Sequence, residues 1–268
     1  MKMGICAWSV PMDGPYGVKV AADYGFKGMQ LDIGEPERGF QLSYPHVQEV
    51  YRQFAKEYDI TFTAISVRLF DRYGMTRKNG TPEKDMVMEG IEKAIQAAES
   101  MDIPIVMLGS FLDGEIKTVE DFDRTVECLI NACELAEGKD IIIATENLLS
   151  IEENQKLFEV VNKDNLKLYF DTQNYYLNRN YNAAEMVREL YDYICEVHVK
   201  DGKGHISGAL LGEGDSSFFE TMEELKEKGY QGWVLIENYY DQKPLSNESD
   251  KPLELLEKDV EILKNAMV

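Results

Sequence analysis

The sequence predicts an α/β protein folded as a (β/α)8 TIM barrel, in which eight parallel strands alternate with helices. Three observations support this prediction. Strand-like and helix-like segments alternate along the chain, they form eight strand–helix units, and the length of 268 residues is close to the roughly 250 residues typical of one such barrel. Because no linker rich in Pro, Ser or Gly interrupts the alternation, residues 1–268 are predicted to form a single domain.

The predicted strands are short runs of β-branched and aromatic residues, as expected for strands that are buried on both faces. They cover residues 3–9, 28–33, 60–67, 103–108, 141–145, 166–170, 194–199 and 232–236. An open doubly wound sheet would also alternate strands and helices. That fold would need a glycine-rich phosphate turn after an early strand, and neither Gly-x-Gly-x-x-Gly nor the Walker lysine loop is present.

The segments between the strands carry apolar residues at helical spacing. The clearest helix start is Thr81-Pro82-Glu83, where a capping threonine precedes a first-turn proline. Helices are predicted over 18–24, 45–58, from 82 through 101, from a cap at Thr118 to Gly138, and over 152–160, 182–190, 218–229 and 253–267. The polar segment 68–80 is longer than a typical connection, so it is a candidate lid or binding loop.

Composition excludes several classes of partner. The net charge is -21, from 28 basic and 49 acidic side chains, which argues against nucleic acid and against an anionic membrane surface. No apolar stretch is long enough to cross a bilayer or to resemble a signal peptide. The four cysteines form no CxxC pair, so buried reduced thiols and a cytoplasmic location are expected.

Four consecutive predicted strands, the fifth to the eighth, end in a residue that can bind a metal ion. These residues are Glu146, Asp171, His198 and Glu237. One strand-terminal carboxylate is usually a cap or an ion-pair partner, but four ligand-type residues at successive strand ends are hard to attribute to coincidence. Active sites of (β/α)8 barrels lie at the carboxyl ends of the strands. The sequence therefore predicts one metal site at that end.

Three carboxylates and one imidazole make a fairly hard donor set. Such a set suits one divalent ion, with Mn²⁺ preferred and Mg²⁺, Co²⁺ or Zn²⁺ as alternatives. The ion could polarise a carbonyl and stabilise the enediolate formed when a neighbouring C–H is deprotonated. Glu146 and Glu237 could then act as base and acid on the two faces of that carbon. The predicted protein is thus a metal-dependent isomerase or epimerase for a small sugar.

Several motifs carry a resemblance to a known family. They are Thr145-Glu146-Asn147, Phe170-Asp171-Thr172, His198-Val199-Lys200-Asp201, Leu211-Gly212-Glu213-Gly214 and Ile236-Glu237. Over essentially its whole length the chain resembles the xylose isomerase-like, sugar phosphate isomerase/epimerase superfamily of barrels, nearest its ketose 3-epimerase branch. The resemblance implies that the four strand-end residues bind one divalent ion and that the two glutamates exchange the substrate proton. It also implies a homo-oligomer, a dimer or a tetramer.

The chain departs from the ketose epimerase pattern at two positions. Asn174 stands where those enzymes carry a histidine, three residues beyond the strand-six aspartate, and Gly204 stands where they carry an arginine. Lys200 or His205 could take over the lost contacts with substrate hydroxyls, and Trp8 could pack against a sugar ring. The predicted substrate-binding residues are therefore Trp8, Asn174, Lys200 and His205.

The sequence leaves three other functions open. The same enolate chemistry would serve a lyase that expels water from a keto-polyol, as in the inosose dehydratases of the superfamily. A non-catalytic barrel that binds metal and sugar is a weaker alternative. A repair enzyme of the endonuclease IV type is disfavoured, because it needs several histidines for zinc and the chain has three. The absence of a clear arginine cluster favours an unphosphorylated substrate.

Overall fold

A computed structural model describes all residues from Met1 to Val268. Eight parallel strands follow one another in sequence order around a closed barrel. They are β1 (Lys2–Cys6), β2 (Gly28–Asp32), β3 (Thr61–Ser66), β4 (Ile105–Gly109), β5 (Ile142–Glu146), β6 (Leu166–Asp171), β7 (Ile194–Val199) and β8 (Trp233–Ile236). The predicted (β/α)8 fold is confirmed.

Nine α-helices follow or connect these strands. They are α1 (Tyr16–Asp23), α2 (Pro45–Tyr58), α3 (Pro82–Met101), α4 (Val119–Leu135), α5 (Ile151–Val161), α6 (Asn174–Arg179), α7 (Ala183–Leu190), α8 (Phe218–Glu227) and α9 (Pro252–Met267). Both predicted caps are present, since the side chains of Thr81 and Thr118 accept bonds from the third residue of α3 and of α4. None of the helices combines the length and the apolar character needed to cross a membrane.

Pairing between β1 and β8 closes the ring. Lys2 lies opposite Trp233 and Ile5 opposite Ile236, in a parallel register. Gly4 allows the close approach of the neighbouring strands, because a Cβ there would lie 3.0 Å from the Leu235 side chain and 3.1 Å from the Gly28 carbonyl oxygen. Most apolar side chains of the short strands are buried, which explains their nearly continuous apolar sequences.

One strand end and one missed helix need correction. The first strand was expected to run to Ser9, but β1 ends at Cys6 and residues Ala7–Ser9 form a 3-10 turn. Helix α6 was not predicted at all. It has only six residues, and the Asp171 side chain supports its start by accepting the backbone N–H groups of Gln173 and Asn174. A helix that depends on a side chain from the preceding strand leaves little periodicity in the sequence.

Contacts between Cα atoms divide the chain into two compact units. The first comprises Met1–Gln30, Phe54–Phe62 and Phe170–Val268, and the second comprises Leu31–Gln53 and Thr63–Tyr169. Within the second unit, the candidate lid 68–80 is held by Asp113, which accepts bonds from the Gly74 amide and from Arg77. Its role as a lid and the extent of a single domain over 1–268 stay predictions.

Candidate active site

Three of the predicted ligands belong to the first unit, and each lies at the carboxyl end of a strand. Asp171 ends β6, His198 lies in β7, and Glu237 follows β8. Backbone bonds continue across these ends, from Thr172 N to His198 O at 3.1 Å and from Glu237 N to Val199 O at 2.9 Å. The three side chains are therefore held at one level of the barrel.

The three side chains and that of Glu146, the last residue of β5, form a single buried group. Each offers a nitrogen or carboxylate oxygen, and these ligand atoms all lie within 4.8 Å of one another. We call Glu146, Asp171, His198 and Glu237 the ligand group. The predicted spatial convergence of four strand ends is thus present, whereas the binding and catalytic roles of these residues remain predictions.

Lys200 lies directly against the ligand group. It follows His198 by two residues, so strand alternation directs both side chains to the same side. The Lys200 side chain is only 2% exposed, and its ammonium lies 2.5 Å from Glu237 Oε2 and 3.3 Å from Asp171 Oδ2. One positive charge therefore offsets part of the charge of three crowded carboxylates. The remaining negative charge and the donor types fit a divalent ion.

Cys6 offers an alternative ligand. Its Sγ lies 3.2 Å from His198 Nε2, and Cys6, His198 and Glu237 form a second group with metal-ligand spacing. Burial raises the pKa of the Cys6 thiol to about 12, and a thiol binds metal only after losing its proton. The ligand group, which needs no thiolate, is the better candidate.

The predicted substrate contacts fall in different places. Trp8 lies in the turn after β1, where its Nε1 donates to Glu237 Oε1 at 3.1 Å and its ring meets the His198 ring edge to face at 6.2 Å. Asn174 is buried, and its backbone N–H donates to Asp171 Oδ1 at 2.5 Å. His205 is exposed, and its backbone oxygen accepts a bond from Gln173 Nε2. Contact between these residues and a substrate stays a prediction.

Sequence reasoning missed Gln30 and Cys6, which both contact His198. Gln30 Oε1 lies 2.6 Å from His198 Nε2, and both missed side chains are fully buried. A sequence signal for Gln30 was available, because a polar residue within a short buried strand must find a partner inside the barrel. For Cys6 there was no such signal, since a cysteine in an apolar strand is an ordinary core residue.

Fold and site together define a class of protein: parallel (β/α)8 barrels with a buried acidic group, of metal-ligand type, at the carboxyl ends of the strands. Comparison with known proteins gives the family. A family model for xylose isomerase-like TIM barrels matches residues 18–266. The chain belongs to this family, and the predicted resemblance is confirmed.

The chain is also similar to individual proteins. A 2-epi-5-epi-valiolone 7-phosphate 2-epimerase of Actinoplanes sp. is 28% identical over 229 residues, 84% of this chain and 82% of the relative. D-psicose 3-epimerase of Clostridium cellulolyticum H10 is 16% identical with a TM-score of 0.79, over 100% of this chain and 98% of the other. A probable 3-DHS dehydratase of Bacillus anthracis is 16% identical with a TM-score of 0.73, over 98% and 99%. The two structural likenesses concern the fold alone.

Proposed function

We propose that the protein is a metal-dependent isomerase-class enzyme that moves a proton at a carbon next to the carbonyl of a small polyhydroxy ketone. The observation that carries this proposal is the buried ligand group, which brings three carboxylates and one imidazole within 4.8 Å. Its members would hold one divalent ion, for which Mn²⁺ is our first choice over Mg²⁺, Co²⁺ and Zn²⁺. The bound ion would polarise the carbonyl and stabilise the charge of an enediolate.

Glu146 and Glu237 are the residues that we propose move the proton. They lie at the ends of different strands, β5 and β8, so their carboxylates can address opposite faces of one substrate carbon. One would remove the proton from that carbon, and the other would return a proton from the opposite face, which inverts the stereocentre. Return of the proton from the same face would regenerate the substrate. Return of the proton to the neighbouring carbon would give an aldose–ketose isomerisation.

The carboxylate of Glu237 is held in a fixed orientation. Trp8 Nε1 donates to its Oε1 at 3.1 Å, and Lys200 Nζ donates to its Oε2 at 2.5 Å. Fixing a base before the substrate arrives lowers the entropic part of the barrier. Lys200 can also turn its remaining N–H bonds toward a substrate oxygen that gains negative charge.

One relative supports an epimerase within this class. The Actinoplanes relative is named for epimerisation at carbon 2 of a valiolone phosphate, which requires a proton to leave and return at a stereocentre. Its substrate carries a phosphate, so the preference for an unphosphorylated sugar inferred from the sequence has to be tested directly. A cytoplasmic location and a homo-oligomeric state remain predictions.

The test follows a proton. Metal-stripped protein is restored with Mn²⁺ in D₂O and incubated with ketoses and cyclic polyhydroxy ketones, each with and without a phosphate group. Mass spectrometry and NMR then locate the deuterium. Label at an inverted carbon beside the carbonyl would support an epimerase, and label at C1 an aldose–ketose isomerase. A product lighter by one water would assign the protein to the lyases instead.

A variant pair tests the role of the ligand group in this reaction. Glu146→Gln should abolish deuterium incorporation while leaving the fold intact. The matched control is Glu159→Gln. Glu159 is an exposed glutamate on α5, the helix that follows β5, and this variant should retain wild-type exchange. Full exchange by Glu146→Gln would contradict the role given to this carboxylate.

A further inference from the structure

The two ring nitrogens of His198 have different surroundings. Nε2 lies 2.6 Å from Gln30 Oε1 and 3.2 Å from Cys6 Sγ. Nδ1 lies on the other side, 3.4 Å from Glu237 Oε2. His198, Gln30 and Cys6 are fully buried, so water does not compete for these contacts. The ring is thus held between an amide on one side and the ligand group on the other.

The contact with Gln30 determines which nitrogen carries the proton. An amide oxygen can only accept, and the Cys6 thiol also donates to this same Oε1 at 3.4 Å. At a separation of 2.6 Å two lone pairs would repel each other, so the proton between Oε1 and His198 must be on Nε2. A neutral imidazole carries one N–H. Nδ1 therefore presents its lone pair toward the carboxylates.

We propose that Gln30 is a positioning residue that makes His198 a metal ligand through Nδ1, by fixing the proton on Nε2. The inference rests on the proposed function in taking the ligand group as the metal site. Metal-bound histidines commonly donate their second N–H to a protein acceptor, which fixes the tautomer and the ring orientation. Here that acceptor is an uncharged amide on β2, a strand that supplies no member of the ligand group.

The opposite tautomer would defeat the site. A proton on Nδ1 would point toward Glu237 Oε2 and form a hydrogen bond inside the ligand group, because these atoms are only 3.4 Å apart. That N–H would occupy the lone pair needed by a metal ion and one acceptor position of the carboxylate. Gln30 thus decides whether His198 is a ligand or a hydrogen-bond donor to its neighbour.

The experiment compares Gln30→Glu with Gln30→Met. Glutamate keeps an acceptor at the same side-chain length, whereas methionine keeps the length and removes the strong acceptor. The first readout is the tautomer of His198 in metal-free protein, from long-range ¹H–¹⁵N correlation. The chain has three histidines, and His46 and His205 are exposed, so the buried ring can be distinguished. The second readout is Mn²⁺ affinity by calorimetry.

Wild type and Gln30→Glu should show a single Nε2–H tautomer. Gln30→Met should populate Nδ1–H and bind Mn²⁺ about 10- to 100-fold more weakly, the usual loss when such an outer partner is removed. Cys6→Ala is the matched control, since it removes the second contact of Nε2 and leaves the amide, and its tautomer should match wild type. Thermal unfolding checks that each variant folds.

An Nδ1–H tautomer in wild type would overturn the inference, and so would a Gln30→Met protein with unchanged tautomer and unchanged Mn²⁺ affinity. The wild-type spectrum alone is decisive if Gln30→Met does not fold. One further outcome would distinguish a failure of the proposed reaction from a failure of this inference. If Mn²⁺ affinity follows Gln30 but no ketone exchanges its proton, the reaction is wrong and the role of Gln30 is supported.

Discussion

Asp171 and Asp201 are both buried aspartates at the ends of neighbouring strands, yet their surroundings differ. Asp201 accepts hydrogen bonds from four backbone amides and one hydroxyl, those of Gly202, Gly212, Gly214 and Ser216. Asp171 Oδ1 accepts two amides, but its Oδ2 faces Lys200 at 3.3 Å and belongs to the ligand group. A strand-end carboxylate is therefore judged a candidate ligand by what surrounds it, not by position alone.

Two adjacent residues after β8 show the same contrast between the ligand group and residues that anchor a loop. Glu237 belongs to the ligand group, whereas Asn238 bonds to Asp259 Oδ2 at 2.7 Å and accepts the Asp201 amide at 3.3 Å. Tyr240 also donates to Asp259 Oδ2. We call Asp201, Asn238, Tyr240 and Asp259 the anchoring network. It fixes the loop that follows β7, whereas the ligand group is the proposed site of the reaction.

The largest expected difference between the ligand group and the anchoring network is in the effect of a substitution on turnover. Glu237→Gln keeps the shape of the side chain but removes the proposed proton carrier, so we expect kcat to fall by about 10³-fold. The melting temperature should change by only a few degrees. Deuterium exchange at saturating Mn²⁺ measures the loss, and Glu227→Gln, an exposed glutamate at the end of α8, is the control. Turnover near the wild-type value would remove Glu237 from the mechanism.

A substitution at Asp201, in the anchoring network, should mainly affect the stability of the fold. Asp201→Asn replaces one acceptor oxygen with an NH₂ group that faces backbone N–H donors, which should lower the free energy of unfolding by about 3 kcal/mol. Gly214 leaves no room for adjustment, because even a Cβ there would lie 2.0 Å from Asp201 Oδ1. Urea unfolding measures the change. Asp215→Asn, in the same loop but exposed, should be nearly neutral, and equal stability of the two variants would contradict the anchoring role.

The sequence predicted the fold and the convergence of the ligand group, because both follow from periodicity and from residues at strand ends. It did not predict which side chains contact Lys200 or Gln30. Those contacts join strands that are far apart in the sequence, and they depend on how the strands are oriented toward each other in the folded barrel. Lys200 was assigned to substrate binding, which stays a prediction. Its additional contact with Glu237 Oε2 at 2.5 Å was not predicted. Helix α6 was missed for a related reason, since the Asp171 side chain supports its start.

Metal binding should stabilise the folded protein through the ligand group alone. A ligand that binds only the folded state at 100 times its Kd adds about 2.7 kcal/mol to the free energy of unfolding. Mn²⁺ should therefore raise the melting temperature of wild type but not of Asp171→Asn. Asp201→Asn should start lower and still show the full Mn²⁺-dependent rise. Thermal unfolding with and without chelator measures both, and an equal rise in Asp171→Asn would place the ion elsewhere.

The smallest expected effect is a pH dependence within the anchoring network. Burial raises the pKa of Asp259 from 3.8 to about 6, although Asn238, the Leu211 amide and Tyr240 donate to the carboxylate and lower it. The folded state thus binds this proton more tightly than the unfolded state. The resulting stabilisation is complete below pH 3.8 and is lost as the pH rises through about 6.

Between pH 5 and pH 7 this linkage removes about 1 kcal/mol from the free energy of unfolding of wild type. Asp259→Asn has no proton to lose there, so its unfolding free energy should decline less over the same interval, even though its absolute stability is lower. Urea unfolding of both proteins at several pH values gives the difference. Parallel pH profiles would show that Asp259 does not titrate in this range, and would leave the network's anchoring role to be judged from Asp201 alone.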